Sequence, residues 1–134
     1  DISGMAYIKD GVPIIGVNSL HRPNRQRFTA AHECGHVVLH RPLLTQEVHV
    51  DKQFGVLRRD GNSKTGVDKN EIEANQFAAE LLMPEKMLEQ ALDRIVGDAA
   101  IDIDDSDLIK KLAIQFKVSE DAMKIQLGKL FSAF

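Results

Sequence analysis

Two histidines four residues apart could bind one metal ion. They stand in the run His32-Glu33-Cys34-Gly35-His36. On a helix, residues at this spacing lie about 40° apart around the axis and about 6 Å apart along it, so both imidazoles can reach the same ion. Neutral imidazole suits zinc, and Glu33 is placed to act as a general base on a metal-bound water. The run therefore has the H-E-x-x-H pattern of zinc peptidases.

The same spacing also occurs by chance, as two surface histidines on an amphipathic helix. Apolar residues flank the motif here, namely Phe28, Val37, Val38 and Leu39. They predict a largely buried helix, in which unpaired histidines would be costly. This context favours metal binding over the surface alternative.

A catalytic zinc site needs a third protein ligand and an open fourth position for water. His40 extends the histidine series, but eight residues of helix span about 12 Å, so His32 and His40 cannot share an ion. We expect His40 to lie at the end of the helix, near the ion without binding it. Cys34 lies about 200° around the axis from His32, so we expect it to point away from the metal and into the core.

Two carboxylates further along the chain, Glu71 and Glu73, compete for the third position. On a helical wheel Glu71 lies inside the apolar stripe, whereas Glu73 lies near the opposite, solvent-facing side. A buried carboxylate needs a partner, so we predict that Glu71 is the ligand. Asn75, one turn further on, is predicted to hold a ligand histidine. The alternative is that Glu71 is a solvated residue of the first turn, favoured there by the helix dipole.

The oxyanion formed during peptide hydrolysis needs a hydrogen-bond donor besides the metal. Tyr7, His40, Arg41 and His49 are the candidates, and the sequence does not choose among them. The segment 52–67 holds three glycines and has no clear periodicity. A loop of that length in a small domain is often functional, so we expect it to gate the cleft or to become ordered when substrate binds.

Periodicity and turn residues predict the elements that position these side chains. A hairpin is expected from strands 5–8 and 13–17, joined by Lys9-Asp10-Gly11. Helices and one further strand follow, at 25–40 (capped by Asn24), 47–51 (strand), 69–83, 84–95, 105–116 and 120–131 (capped by Ser119). The fold class is therefore α+β, with a small antiparallel N-terminal sheet, the active-site helix and a C-terminal helical part.

Composition limits the other possibilities. The 134 residues fit one domain spanning 1–134, and the net charge of −3 argues against a protein that coats nucleic acid or a polybasic membrane binder. No apolar run is long enough to cross a membrane, and the first residues do not read as a signal peptide. The single cysteine suits a reducing compartment.

The last two predicted helices resemble a helix-turn-helix. In a DNA-binding protein, Lys124, Gln126 and Lys129 of the second helix would face the DNA. That helix, however, begins with Glu120-Asp121 and contains no arginine, so we favour a packing role for the pair.

Two longer blocks make the sequence similar to a known family. They are RFTAAHECGH at 27–36, followed by Leu39-His40, and EIEANQFAAELLMP at 71–84. These blocks resemble the ImmA/IrrE family of zinc metallopeptidases, and the resemblance extends from the first hairpin to the final helix pair. It implies a zincin-like fold with a gluzincin-like site, in which one zinc ion is bound by His32, His36 and Glu71 and Glu33 is the catalytic base.

The resemblance also implies a biological setting. Similar proteins are cytoplasmic, encoded by bacteria or phages, and the characterised ones cleave a helix-turn-helix repressor. We therefore expect a protein substrate of this kind, without direct binding to nucleic acid or membrane. The alternative is a zinc-bound regulator that binds a repressor without cutting it, for which the same ligands and base would be present.

Overall fold

The structure is a computed structural model that describes residues 1–52 and 66–132, and of residues 66–68 it describes the backbone alone. The segment 52–67, expected to gate the cleft, therefore lies almost wholly outside the described residues. The chain divides into two compact units, residues 1–78 and 79–134. The first contains the sheet and the second is helical, which confirms the α+β class.

The elements follow the predicted order except for one short helix, Arg41–Gln46, which was not predicted. They are β1 (Gly4–Lys9), β2 (Val12–Val17), α1 (Pro23–Leu39), α2 (Arg41–Gln46), β3 (His49–Asp51), α3 (Gly66–Leu82), α4 (Glu85–Val96), α5 (Ser106–Phe116) and α6 (Glu120–Ser132). None of the helices in the described part of the chain is long and apolar enough to cross a membrane.

The first unit is built on a three-stranded antiparallel sheet with the order β2-β1-β3. The predicted hairpin is confirmed, because Lys9 pairs with Val12 across a two-residue turn at Asp10 and Gly11. Both turn residues have positive φ, 52° and 79°, which is the conformation that Asp-Gly adopts readily and that suits the twist of a hairpin. β3 pairs with the first half of β1, so that Asp51 lies opposite Gly4.

Helix α1 starts two residues earlier than predicted. Its N-cap is Arg22, which makes no side-chain capping bond, and Pro23 occupies the first turn. Asn24 is therefore inside the helix, and its predicted capping role is wrong. Proline replaces a capping side chain here because its fixed φ suits the first helical position, where no N–H partner is needed.

The burial of α1 differs from the prediction at its C-terminal end. The motif itself is buried, but Val38 is 64% exposed and Leu39 is half-exposed. Cys34, expected in the core, is only partly buried. The buried face of α1 is thus narrower than the flanking apolar residues indicated, and it is occupied largely by the polar residues of the motif.

Gly35 lets α1 approach α3 closely. A side chain at this position would place its Cβ 3.1 Å from the Cβ of Phe77 and 3.2 Å from the Cα of Ala74. Ala74 and Ala78 are fully buried on the facing side of α3. The small residues on both helices therefore bring the residues of α3 near 71–75 against the H-E-x-x-H motif.

The second unit has a larger apolar core. Among its described residues, thirteen buried ones form one cluster, in which Leu112, Met123 and Leu127 are fully buried. Asp105 caps α5 by accepting a hydrogen bond from Asp107 N at 2.9 Å. Ser119 caps α6, as predicted, by accepting one from Ala122 N at 3.0 Å.

Candidate metal centre

Three side chains from two helices converge on one point. His32 Nε2 lies 3.1 Å from His36 Nε2 and 3.0 Å from Glu71 Oε1, and His36 Nε2 lies 3.1 Å from Glu71 Oε2. Donors that share a tetrahedral ion at bonds of about 2.0–2.1 Å are about 3.3 Å apart. The separations and the two-nitrogen, one-oxygen donor set therefore fit a single ion.

A fourth side chain, Asp51, joins this group and was not anticipated. Its Oδ2 lies 3.1 Å from His32 Nε2 and 3.7 Å from His36 Nε2. His32, His36, Asp51 and Glu71 each offer a donor atom within 4.8 Å of all the others. The sequence held one signal for this residue, an aspartate at the end of an alternating strand that also contains His49, but the strand gives no measure of its distance from α1.

The start of β1 fits tightly against the active-site helix. A Cβ added to Gly4 would lie 2.5 Å from Thr29 Cγ2 and 3.1 Å from Glu33 Oε2, so only glycine allows this approach. Next to it, Ser3 N donates a hydrogen bond of 2.7 Å to the carbonyl oxygen of Asp51. The strands therefore hold the backbone of Asp51 beside Glu33.

Glu33 is fully buried, and neither of its carboxylate oxygens receives a hydrogen bond from a residue that the structure describes. Burial, together with the neighbouring carboxylate of Asp51, raises the pKa of Glu33 to about 10. The ionised form of Glu33 therefore lacks the hydrogen-bond donors that a buried carboxylate needs.

Asn75 orients the first histidine. Its Oδ1 lies 2.7 Å from His32 Nδ1. Because the amide oxygen is an acceptor, His32 donates from Nδ1, so that in the neutral ring the lone pair of Nε2 would be available to a metal ion. This is the contact that the sequence predicted for Asn75.

A second pair of residues orients His36. His40 Nε2 donates to Glu73 Oε1 at 2.8 Å, and His40 Nδ1 lies 3.0 Å from His36 Nδ1. In its neutral form His40 must then accept at Nδ1, so His36 donates from Nδ1, and in a neutral ring its Nε2 would be available to a metal ion. Glu73, assigned to the solvent face from the sequence, has a side chain only 39% exposed. The hydrogen bond from His40 lowers the pKa of Glu73.

His49 bridges the two carboxylates of the group. Its Nε2 lies 2.9 Å from Glu71 Oε2 and 3.0 Å from Asp51 Oδ1. The hydrogen bonds to Asp51 and Glu71 outweigh burial and raise the pKa of His49 to about 10. Burial would raise the pKa of Glu71, but hydrogen bonds from His32, His36 and His49 lower it.

The two histidines of the motif differ in the direction of their pKa shifts because their surroundings differ. Burial would lower the pKa of His32, but hydrogen bonds to Asp51 and Glu71 raise it to about 9. For His36, burial outweighs the hydrogen bond to Glu71, and its pKa is lowered. The difference in pKa between the two rings therefore comes from Asp51, which hydrogen-bonds to His32.

The remaining candidates for the oxyanion donor, Tyr7 and Arg41, lie away from the metal group. Tyr7 is on the face of β1 opposite to Gly4, Ala6 and Ile8, since neighbouring residues of a strand point to opposite sides. Arg41 Nη2 donates to the carbonyl oxygen of Gly11, in the hairpin turn, at 3.2 Å. Neither makes a described contact with the metal group.

The fold and this site agree with the comparisons to known proteins. The chain belongs to the peptidase family M78, described as the IrrE N-terminal-like domain, which it matches over residues 1–127. The resemblance found in the sequence is thereby confirmed. A curated relative is Metallopeptidase ImmA of Bacillus subtilis (strain 168), 42% identical over 72 residues, or 54% of this chain. The match spans 36% of that relative's length.

Proposed function

We propose that this chain is a zinc-dependent endopeptidase domain of the ImmA/IrrE type. The observation that carries the proposal is the convergence of His32, His36 and Glu71 at separations that suit one ion, with the buried Glu33 beside them. Two imidazoles and one carboxylate form a donor set typical of catalytic zinc. Membership of a peptidase family and the printed name of the relative support the same activity.

Zinc held by His32, His36 and Glu71 would supply the Lewis acid that polarises the scissile carbonyl and its attacking water. Glu33 would take the proton from that water and pass it to the nitrogen of the leaving amine. Its buried carboxyl group, which has no hydrogen-bond donor among the described residues, suits a proton carrier more than a structural role.

The remaining residues of the site would position these groups. Asn75 holds His32, and the pair of Glu73 and His40 holds His36. His49 is the oxyanion-donor candidate nearest to the metal group, and it would donate from Nε2 by turning away from the carboxylates of Asp51 and Glu71 that this nitrogen now contacts. His40 is already engaged on both ring nitrogens, and Tyr7 and Arg41 face other parts of the first unit.

For the substrate we propose a helix-turn-helix repressor in the bacterial cytoplasm. The resemblance to the ImmA/IrrE family supports this choice. The DNA-binding alternative for the chain itself is disfavoured by Gln126, which is buried and donates hydrogen bonds to Glu80 Oε1 and the carbonyl oxygen of Met83, both at 3.1 Å. A side chain held in this way cannot reach a base.

The test combines zinc binding with cleavage of a helix-turn-helix repressor taken from the genome that encodes this chain. Glu33→Gln should bind zinc as the wild type does and lose cleavage by at least about a hundredfold, the range for loss of a general base. Glu47→Gln, at an exposed carboxylate of the same unit, is the matched control and should cleave normally. If Glu33→Gln relieves repression as well as the wild type, the protein is a non-catalytic regulator and the proposal is wrong.

A further inference from the structure

We propose that Asp51 is a fourth ligand of the metal, which closes the centre at rest and must leave the ion before hydrolysis. The proposal rests on the proposed function for the identity of the site. It adds a ligand from the sheet to the three that the two helices provide.

The geometry matches that of the other ligands. Asp51 Oδ2 lies 3.1 Å from His32 Nε2, the same as the separation between the two histidine nitrogens, and 3.7 Å from His36 Nε2. Asp51 is only 6% exposed. Four donors around one point complete a tetrahedron, which is the arrangement of closed structural sites, whereas a catalytic site keeps one position for water.

Asp51 occupies the side of the centre where that water is needed. Asp51 lies opposite Gly4 in the sheet, and a Cβ added to Gly4 would lie 3.1 Å from Glu33 Oε2, so Asp51 is held on the side of the centre that Glu33 faces. A water must stand between the ion and Glu33 for the base to act on it. The Asp51 carboxylate therefore competes with the hydrolytic water for one position.

The backbone of Asp51 is held in place by hydrogen bonds, so the carboxylate would leave the ion by a movement of the side chain alone. Its carbonyl accepts from Ser3 N, and Ser3 Oγ donates to the carbonyl of Lys52 at 3.2 Å while accepting from Arg25 Nη2 at 2.9 Å. The side chain has a second partner, because Oδ1 lies 3.0 Å from His49 Nε2. Asp51 can therefore release the ion through Oδ2 and remain bound to His49 through Oδ1.

The competing role for Asp51 is that of a hydrogen-bond acceptor, which orients His32 and His49 without binding the ion. The two roles differ in whether the wild-type ion has an open position. They also differ in the effect of Asp51→Asn, which keeps the shape and a hydrogen bond to His49 but removes a good metal ligand.

The experiment uses the whole chain loaded with zinc or cobalt(II), without any substrate. Zinc affinity is measured by competition with a chelator, and the visible spectrum of the cobalt form is titrated with azide. Asp51→Asn and Asp51→Ala should each weaken zinc binding by about tenfold or more. Azide should change the spectrum of both variants at concentrations at least about tenfold lower than for the wild type. Glu47→Ala, an exposed carboxylate of the same unit, should leave both measurements unchanged.

Asp51→Asn keeps the result interpretable even where Asp51→Ala does not fold. If wild-type cobalt protein binds azide as readily as Asp51→Asn does, the centre is already open and the proposal is wrong. The outcome does not depend on peptidase activity. If the protein shows the expected azide response but cleaves no repressor, Asp51 is a metal ligand and the proposed function is wrong.

Discussion

The two units of the chain bury different kinds of side chain. In residues 1–78 the apolar cluster is small, with Ala6, Ile8 and Leu44 fully or nearly buried, and polar residues take up much of the interior. Those buried polar residues are Ser3, Thr29, His32, Glu33, His36, His40 and Asp51. In the described part of residues 79–134 an apolar cluster of thirteen residues dominates. Gln126 is the polar residue buried there.

Because the two units bury different side chains, they are stabilised by different interactions. Burial of apolar area stabilises the second unit directly. In the first unit, buried carboxylates and imidazoles are favourable only when they are paired, and one metal ion would pair the four that converge, His32, His36, Asp51 and Glu71. The unit that contains the candidate site should therefore depend on metal, and the other should not.

The largest expected effect is that of metal removal. At zinc concentrations about 1,000 times the dissociation constant, binding stabilises a folded unit by about 4 kcal/mol. Chelation should therefore speed amide hydrogen exchange in α1 and β1 and leave α5 and α6 nearly unchanged. Glu71→Ala should reproduce the chelated pattern with zinc present. If chelation speeds amide hydrogen exchange equally in both units, the expectation that only the first unit depends on metal is wrong.

A mutation in the core of the second unit should lower the stability of that unit without affecting zinc binding. Leu127 is fully buried in α6, and Leu127→Ala should lower the free energy of unfolding of that unit by about 3 kcal/mol through the cavity it leaves. Zinc affinity should stay the same. Ile125→Ala, at a position 58% exposed on the same helix, is the control and should cost less than about 0.5 kcal/mol. A drop in zinc affinity in Leu127→Ala would show that the units are coupled.

A smaller effect is expected where Asn75 orients His32. Asn75→Ala removes the acceptor at Nδ1, so we expect zinc affinity to fall by about tenfold, the lower end for a residue that holds a metal-binding histidine. Gln76→Ala, at the exposed neighbouring position of α3, is the control and should bind zinc normally. Chelator competition measures both, and an unchanged affinity in Asn75→Ala would remove Asn75 from the site.

The smallest effect concerns the cap of α6. Ser119→Ala loses the hydrogen bond to Ala122 N and should destabilise the second unit by about 1 kcal/mol. Thermal unfolding with zinc in excess measures it, and Ser119→Asp, which keeps a capping oxygen, should recover most of the loss. No recovery would mean that the serine acts in another way.

Local sequence rules were sufficient for most of the elements. The hairpin followed from Asp10-Gly11, because this pair adopts positive φ at both positions. The H-E-x-x-H spacing and the apolar stripe of α3 predicted that His32, His36 and Glu71 would lie together, since helical periodicity decides which residues share a face, and the structure brings their side chains together. The same rules failed for the exposed end of α1, where the apolar Val38 and Leu39 have no described core to face.

The sequence by itself determined which residues could bind a metal on each helix and where the chain turns, because these depend on contacts within a few residues. Only the tertiary structure decided that Asp51 and His49, from a three-residue strand, lie against the same point, and that Glu73 reaches His40 rather than solvent. Those contacts join parts of the chain far apart in sequence. They depend on how closely β1 and α3 approach α1, which Gly4 and Gly35 set through the absence of a side chain.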